Sequence, residues 1–329
     1  MEATDLLTAK LRGLVRGRWG EGDRSAVPFP GGAGLQTGRE GWVLAGDDPA
    51  RALGPALLWA RRAGVDELHV LAETEASRLA RLAAAFMRPP RVWRVASGTV
   101  DAALPVPVGP LPSWRAEIAT WVELIRAAGA EPVVERGALI AEVRGLEVAR
   151  VVDDGLEGRL EVGVGKHDRH AQQLVWSDVP SQDALFAAVA TVREHRRVDA
   201  PRHPLNRLAP ERWLRALLVA RPELVGARHL APAPAPVARD DLRLPSPAAA
   251  TGIDESDRPL VVVCSTGIDA DLVPTAVDAR LVDGRAARLV LVVPERDDHP
   301  AHAALAAALI DPAELRTVPD DWRATASLL

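Results

Sequence analysis

The segment Leu160–Arg169, which reads LEVGVGKHDR, groups charged side chains. It contains Lys166, one of only two lysines in the chain, and several acidic residues lie in it or just before it. Carboxylates grouped at a strand end bind a hard divalent cation such as Mg²⁺, and a nearby lysine stabilises charge that develops on a phosphoryl group. Asp153, Asp154 and Glu161 are therefore candidate metal ligands. Glu161, Lys166 and Asp153 are the candidate catalytic residues of a phosphodiester hydrolysis.

A purely structural interpretation of the same segment stays open. Glu161 would pair with Arg150 across a hairpin, Lys166 would be solvated, and Asp168 would cap the following helix. Glu161 and Lys166 are five residues apart, so they point to opposite faces of a regular strand unless a bulge at one of the intervening glycines shifts the phase. In the same hairpin, Glu147 is expected on the apolar face with Ala149.

Residues 191–230 form a basic block that contains nine arginines and four acidic residues. Arg207, Arg212 and Arg215 with Trp213 between them form a pattern that could follow a phosphate backbone and stack on a base. They are the candidate contacts to a nucleic acid. The alternative is a packed helical hairpin that buries its leucines and keeps its arginines in water.

A second candidate ligand site follows the strand-like run that ends at Cys264. Ser265 and Asp269 come just past the carboxyl end of this strand, where open α/β sheets bind ligands. Asp47-Asp48 follows an earlier strand in the same way. A buried, inert Cys264 is more common than a nucleophile in such a position, and Asp269 could instead cap a helix.

Two histidine pairs have the spacing of metal ligands on one helical turn. These pairs are His167 with His170 and His299 with His302. Each pair supplies only two ligands, and a site needs a third from elsewhere in the fold.

The elements that must position these residues alternate between strand and helix at both ends of the chain. The predicted organisation is an N-terminal helix and loop (1–40), an alternating α/β unit with a Pro-rich connector (41–112), a helix-meander-helix module (113–230), a Pro/Ala linker (231–257) and a C-terminal alternating α/β unit (258–329). The fold class is α/β, with two short Rossmann-like units flanking a central helix-β-meander-helix module. No sequence repeat is evident, so we interpret the likeness of the two units as architectural.

Composition excludes several classes of protein. The 329 residues are 48% hydrophobic and 26% charged, with a net charge of −5, which is typical of soluble globular proteins. The single cysteine favours a reducing cytoplasm, and we expect no signal peptide and no membrane span. The first strand-to-helix turn lacks a Gly-x-Gly-x-x-Gly motif and carries Asp47-Asp48, so no nicotinamide or flavin cofactor is expected.

The helix, meander and helix around Leu160–Arg169 resemble the core of the PD-(D/E)xK nuclease superfamily. The resemblance implies Mg²⁺ held by a helical Glu117 or Glu123, by Asp153 or Asp154, and by Glu161, with Lys166 beside the activated water. The pattern departs from the family in the spacing of Glu161 and Lys166, since the family needs them two residues apart.

Three segments together resemble a family of uncharacterised bacterial proteins: LEVGVGKHDR (160–169), HPLNRLAPERWLR (203–215) and VVVCSTGIDADLVPTAVDAR (261–280). This likeness spans most of residues 138–310 and implies a shared fold without a reaction. The first functional hypothesis is a metal-dependent phosphodiesterase or nuclease-like protein that processes nucleic acid. The alternative is a non-enzymatic α/β protein that binds a ligand or takes part in an assembly. The sequence does not fix the oligomeric state.

Overall fold

A computed structural model describes residues 3–109, 120–135, 137–152, 158–164, 181–200, 203–234, 242–284 and 286–327. The helices in these ranges are α1 (Ala3–Trp19), α2 (Leu53–Ala63), α3 (Ala76–Ala83), α4 (Thr120–Ala127), α5 (Ser181–His195), α6 (Pro210–Ala220), α7 (Leu272–Asp283), α8 (Pro300–Ala307) and α9 (Trp322–Ala326). The strands are β1 (Ser25–Val27), β2 (Gly32–Thr37), β3 (Glu40–Ala45), β4 (Glu67–Ala72), β5 (Arg91–Ala96), β6 (Thr99–Ala102), β7 (Glu131–Glu135), β8 (Ala138–Val143), β9 (Leu146–Val152), β10 (Arg159–Val162), β11 (Ala227–Ala233), β12 (Ala248–Asp254), β13 (Pro259–Cys264), β14 (Arg288–Pro294) and β15 (Glu314–Val318).

The predicted α/β class is confirmed by three sheets. The strand orders are β1-β2-β3-β4-β5-β6, β10-β9-β8-β7 and β11-β12-β13-β14-β15. The first and third sheets contain a parallel core, β3-β4-β5 and β13-β14-β15, whose strands are joined by helices. The central sheet is an antiparallel meander, as predicted. No helix in these ranges is long and apolar enough to cross a membrane.

Contacts divide the chain into two compact units. Unit 1 contains residues 1–109, 270–278 and 299–313, and unit 2 contains residues 110–269, 279–298 and 314–329. This division differs from the five consecutive segments that composition predicts. The first sheet already begins at β1 and β2, because β2 folds back on β3 through a two-residue turn with Gly38 at φ +53°. Residues 1–40 are therefore part of the first α/β unit.

The predicted Pro/Ala linker is also wrong. Residues 231–257 contain the end of β11 and all of β12, and β12 lies between β11 and β13 in the third sheet. The alanines Ala248, Ala249 and Ala250 are buried there. Their small side chains look like a linker in composition, although they fill a sheet interior. A strand rich in alanine gives little β-propensity signal.

The two alternating units are copies of one another. In each copy, two antiparallel strand pairings precede a parallel strand–helix–strand–helix–strand series, β1 to β5 in the first and β11 to β15 in the second. Aligning the ends of these series matches Leu82–Val95 (LAAAFMRPPRVWRV) with Leu305–Val318 (LAAALIDPAELRTV) without a gap, and six of the fourteen positions are identical. The likeness in topology therefore extends to the sequence over these fourteen residues, at an offset of 223 residues.

Equivalent residues of the two copies pair with each other within unit 1. Phe86 and Leu309 form an antiparallel bridge, and these positions are aligned in the repeat. The amide of Met87 donates to the carbonyl of Ala308 at 2.9 Å, and the amide of Ile310 donates to the carbonyl of Ala85 at 2.9 Å. Each hydrogen bond is the counterpart of the other, so the contact has local two-fold symmetry. We call residues 85–87 and 308–310 the reciprocal joint.

The central sheet, in unit 2, has one apolar face and one charged face. One face is apolar and packs on α4 and α5 through residues such as Ile125, Val151 and Leu185. The opposite face carries glutamates and meets α6. The turn between β8 and β9 approaches α6 so closely that a Cβ on Gly145, which has φ +73°, would lie 2.1 Å from the carbonyl oxygen of Arg212. Only glycine fits this turn, which brings α6 directly onto the charged face.

Candidate functional site

The predicted metal site on the central sheet is only partly described. Glu161 lies opposite Arg150 in the ladder, as the hairpin predicts, but its carboxylate is 2.6 Å from Arg159. Strand β10 ends at Val162, and Gly163 has φ 140°, so regular strand geometry does not continue towards Lys166. The nuclease-like site therefore stays a prediction. Its other members Asp153, Asp154, Lys166 and Glu117, together with His167 and His170, lie outside the described residues, and the helical candidate Glu123 is exposed and paired with Arg126.

Glu147 does not share the apolar face with Ala149. The pairing of β8 with β9 shifts between Ala141 and Glu142, which is a β-bulge. The bulge turns Glu147 to the face that carries Arg150, and Arg150 donates to both of its carboxylate oxygens at 2.9 and 3.0 Å. This bulge sets the phase of the charged side chains on β9. The bulge expected between Glu161 and Lys166 stays a prediction, because Gly165 and Lys166 lie outside the described residues.

Two of the predicted phosphate contacts are buried ion-pair residues. Arg212 is 6% exposed and lies 2.6 Å from Glu135 and 3.2 Å from Glu142, while Arg215 is 3% exposed and binds the other oxygen of Glu142. Their carboxylate partners are on β7 and β8. The assignment of Arg212 and Arg215 to a nucleic acid is therefore wrong, because their guanidinium groups neutralise the charged face of the central sheet.

Most described arginines of the basic block bind protein groups as well. Arg196 is fully buried, donates to backbone carbonyls that include those of Leu205 and Leu208, and lies over the ring of Trp213. Burial lowers the pKa of Arg196 to about 9. Arg193 binds the Gly129 carbonyl, whereas Arg197, Arg221 and Arg228 pair with Asp199, Glu223 and Asp257. Arg207 is exposed, but one such arginine does not make the continuous positive surface on which the nucleic-acid prediction depends.

The strand-end residues after β13 are buried within the fold. Ser265 has no exposed surface, and its amide donates to the Val292 carbonyl at 3.1 Å. Asp269 is 8% exposed. His299 caps α8, with its Nδ1 accepting from the amide of Ala301, which explains its position before that helix without a metal.

Cys264 is an inert thiol. Its Sγ lies 3.2 Å from the carbonyl oxygen of Glu211 and 3.4 Å from that of Ala248, which share its one S–H proton, and burial raises its pKa to about 12. We expect native protein to leave Ellman's reagent unreacted, whereas guanidinium-unfolded protein releases one equivalent of thionitrobenzoate per chain. Stoichiometric reaction of the folded protein at the rate of a free cysteine would contradict this prediction.

A polar cluster in unit 1 was missed by the sequence analysis. Glu40, Glu67 and His69 stand at the starts of the adjacent parallel strands β3 and β4, and their ligand-type atoms lie within 4.8 Å of one another. The Nε2 atom of His69 is 3.1 Å from Glu40 and 3.7 Å from Glu67. His69 is fully buried, with Trp42 stacked against its ring.

The hydrogen bonds of His69 do not suit a metal ligand. The indole N–H of Trp93 donates to Nδ1 of His69 at 3.0 Å, so Nδ1 is the acceptor and the ring proton of the neutral imidazole lies on Nε2. Nε2–H then donates to Glu40. A cation between the three residues would bind the lone pair of Nε2, so the ring proton would have to move to Nδ1. There it would point at the indole N–H of Trp93, and two donors would face each other. Burial lowers the pKa of His69 to about 4, so the ring is neutral at pH 7.

A groove of about 990 Å³ opens beside this cluster in unit 1. Its apolar walls come from α2, β4, the segment before β5 and α8, and include Leu57, Leu68, Phe86 and Leu305. Small residues, Ala60, Ala304 and Ala308, leave the space open. Five charged residues line the groove: Arg61, Arg88, Arg91, Asp66 and Glu67. This combination of apolar walls and a few charges is typical of small-molecule sites.

Comparisons of the chain with family models, curated proteins and solved structures find no match. The candidate site is therefore the groove, on its geometry alone.

The groove could not be read from the sequence because its residues come from two copies of the repeat. Leu57 and Phe86 belong to the first copy, whereas Ala304 and Leu305 belong to the second. The signal that would have pointed to it is the repeat itself, since the aligned segments begin at Leu82 and Leu305.

Proposed function

We propose that the protein is a non-enzymatic ligand-binding protein, and that the groove of unit 1 takes a small molecule with an apolar body and one acidic group. The groove carries this proposal. Its volume of about 990 Å³ is at the upper end of the range for small-molecule sites, so an elongated ligand suits it.

The charges of the groove favour an anion. Asp66 is bound by Arg39, and that hydrogen bond lowers the pKa of the Asp66 carboxyl group. Glu67 is bound by Arg91 at 2.5 Å. Arg61 and Arg88 form no ion pair within 4.0 Å in the described part of the chain, although the charge of Arg88 also acts on Asp66. The lining therefore carries three arginines against two carboxylates and favours an anion.

The apolar walls supply the other half of the specificity. The apolar lining side chains that are not buried, among them Leu57, Met87 and Ala304, present carbon surface, and covering such surface gains about 25 cal/mol per Å² removed from water. A ligand with only a charged group would leave this surface in water. A ligand with only an apolar body would leave Arg61 and Arg88 unused.

We expect 1-anilinonaphthalene-8-sulfonate (ANS), an apolar body with one sulfonate, to bind the native protein saturably. Replacing Ala304 with phenylalanine should abolish binding by filling the groove, whereas the same change at Ala303, an exposed neighbour on α8 that does not line it, should have no effect. Fluorescence titration measures both. The outcome that overturns the proposal is an absence of saturable binding, or binding that Ala304→Phe leaves unchanged while thermal unfolding shows both variants folded.

The acidic group is tested in the same titration. The double variant Arg61→Ala/Arg88→Ala should weaken ANS binding about 5-fold, since two exposed charges together contribute about 1 kcal/mol. The matched control is Arg62→Ala/Arg94→Ala, which removes two exposed arginines that do not line the groove. Dodecanoate should displace ANS more strongly than dodecanol. Equal displacement by both would contradict the acidic group.

A further inference from the structure

We infer that the groove binds its anionic ligand together with one proton, which is taken up from solvent by the carboxylate pair Glu40 and Glu67. This inference rests on the proposed function. The observation behind it is that Glu67 belongs both to the groove and to the polar cluster around His69, and that its ion-pair partner Arg91 also lines the groove. An anion in the groove therefore lies beside these carboxylates.

Arg91 is the arginine that forms an ion pair with Glu67 in the described residues. Arg91 Nη1 lies 2.5 Å from Glu67 Oε1, and Glu67 stands opposite Glu40 in the parallel ladder. The one ion pair of Glu40 among the described residues is with His69, whose ring is neutral. Because Glu67 itself lines the groove, an anion held there by Arg61 and Arg88 adds a third negative charge beside the two carboxylates, and any share of Arg91 that it takes weakens the charge that now balances Glu67.

Charged and titratable groups approach the cluster from each element around it. From α1 and the loop after it come Arg18, over the Trp93 ring, and Arg24, over the Trp42 ring; from β3, β4 and β5 come Glu40, Glu67, His69 and Arg91. Burial and then the charge of Glu67 raise the pKa of Glu40, while Arg24 and Arg91 oppose that rise. Weakening the Arg91 contribution leaves the raising effects in place.

The proton goes to a carboxylate rather than to the imidazole. Trp93 holds His69 as an acceptor at Nδ1, and the ring is buried, so a second ring proton would leave Trp93 and the imidazolium as facing donors. A proton on Glu40 or Glu67 removes the repulsion between two like charges. The balance is one ligand anion and one proton bound per groove, with no covalent change.

The sign of the pH dependence follows from this linkage. Because the complex holds the added proton more tightly than the free protein does, the gain in affinity is fully present at low pH and is lost as the pH rises through the range in which the complex releases that proton. Because one proton is involved, affinity changes by at most about tenfold per pH unit.

The test is ANS titration of the full chain from about pH 5 to about pH 8, since the sulfonate stays ionised throughout and the pH dependence belongs to the protein. We expect affinity to fall as the pH rises. Calorimetry in buffers of different ionisation enthalpy should show net proton uptake at the pH where affinity is falling. Glu67→Gln should bind ANS more tightly at the high end of the range and lose the pH dependence.

Asp66→Asn is the matched control, because Asp66 also lines the groove but is bound by Arg39. This variant should bind more tightly at every pH and keep the slope of the wild type. Saturable binding without pH dependence or proton uptake in the wild type overturns the inference and leaves the proposed function standing. A slope that persists in Glu67→Gln also overturns it. Absence of ANS binding at every pH overturns the proposed function itself.

Discussion

Replacing Glu142 with alanine is expected to lower the free energy of unfolding by about 3–5 kcal/mol. Glu142 is 1% exposed and binds Arg212 and Arg215, which are themselves buried. Burial by itself favours the neutral acid, but the two arginines outweigh it and lower the pKa of Glu142, so the carboxylate is ionised. Its removal leaves Arg215 without its described partner and Arg212 with Glu135 alone.

Urea denaturation measures this loss, and Glu123→Ala is the control. Glu123 also pairs with an arginine, Arg126, but its side chain is 78% exposed, so its removal should cost less than about 1 kcal/mol. Because the folded-state pKa of Glu142 is lowered, its contribution is present above the unfolded-state pKa and is lost as the pH falls through the folded-state pKa. A Glu142→Ala variant as stable as Glu123→Ala would contradict the buried network.

Phe86→Ala should lower the free energy of unfolding by about 3–5 kcal/mol, and Leu309→Ala by about 2–5 kcal/mol. Both side chains are almost fully buried, at 2% and 0% exposure, and they face each other in the reciprocal joint. Truncating either one creates a cavity between the two copies of the repeat. Because the residues are in contact, the double variant should lose less stability than the sum of the single variants.

The neighbours of these residues provide the control. Met87 and Ile310 are aligned in the repeat and donate the two backbone hydrogen bonds of the joint, but their side chains are 62% and 60% exposed. Met87→Ala and Ile310→Ala should each cost less than about 0.5 kcal/mol. Equal losses at the buried and exposed pairs would show that the side chains of Phe86 and Leu309 do not hold the copies together.

Local patterns predict much of this fold because each depends on neighbouring residues. A glycine after a helical run is a local signal for the end of the helix, and α2 does end at Gly64, which adopts φ +66° and whose amide binds the Ala60 carbonyl. The run Glu67–Ala72 is the strand β4, and Arg150 faces Glu161 across the predicted hairpin. In each case the deciding interaction lies within a turn or between adjacent strands.

The errors arise where distant residues decide the outcome. From the sequence, Arg212 and Arg215 are predicted to be surface charges. The fold buries them because it places Glu135 and Glu142, about seventy residues earlier in the chain, in contact with them. The bulge at Glu147 depends on the strand beside it. The groove joins side chains from Leu57 to Ala308, so no local window contains it.

The reciprocal joint also makes the contact between the two copies independent of protein concentration. The segment 85–87 meets its own counterpart at 308–310, and each supplies one amide and one carbonyl. A contact in which a segment meets its own equivalent is otherwise typical of two molecules in a symmetric dimer. Because both segments belong to one chain here, each is present at a fixed effective concentration, and dilution does not open the contact.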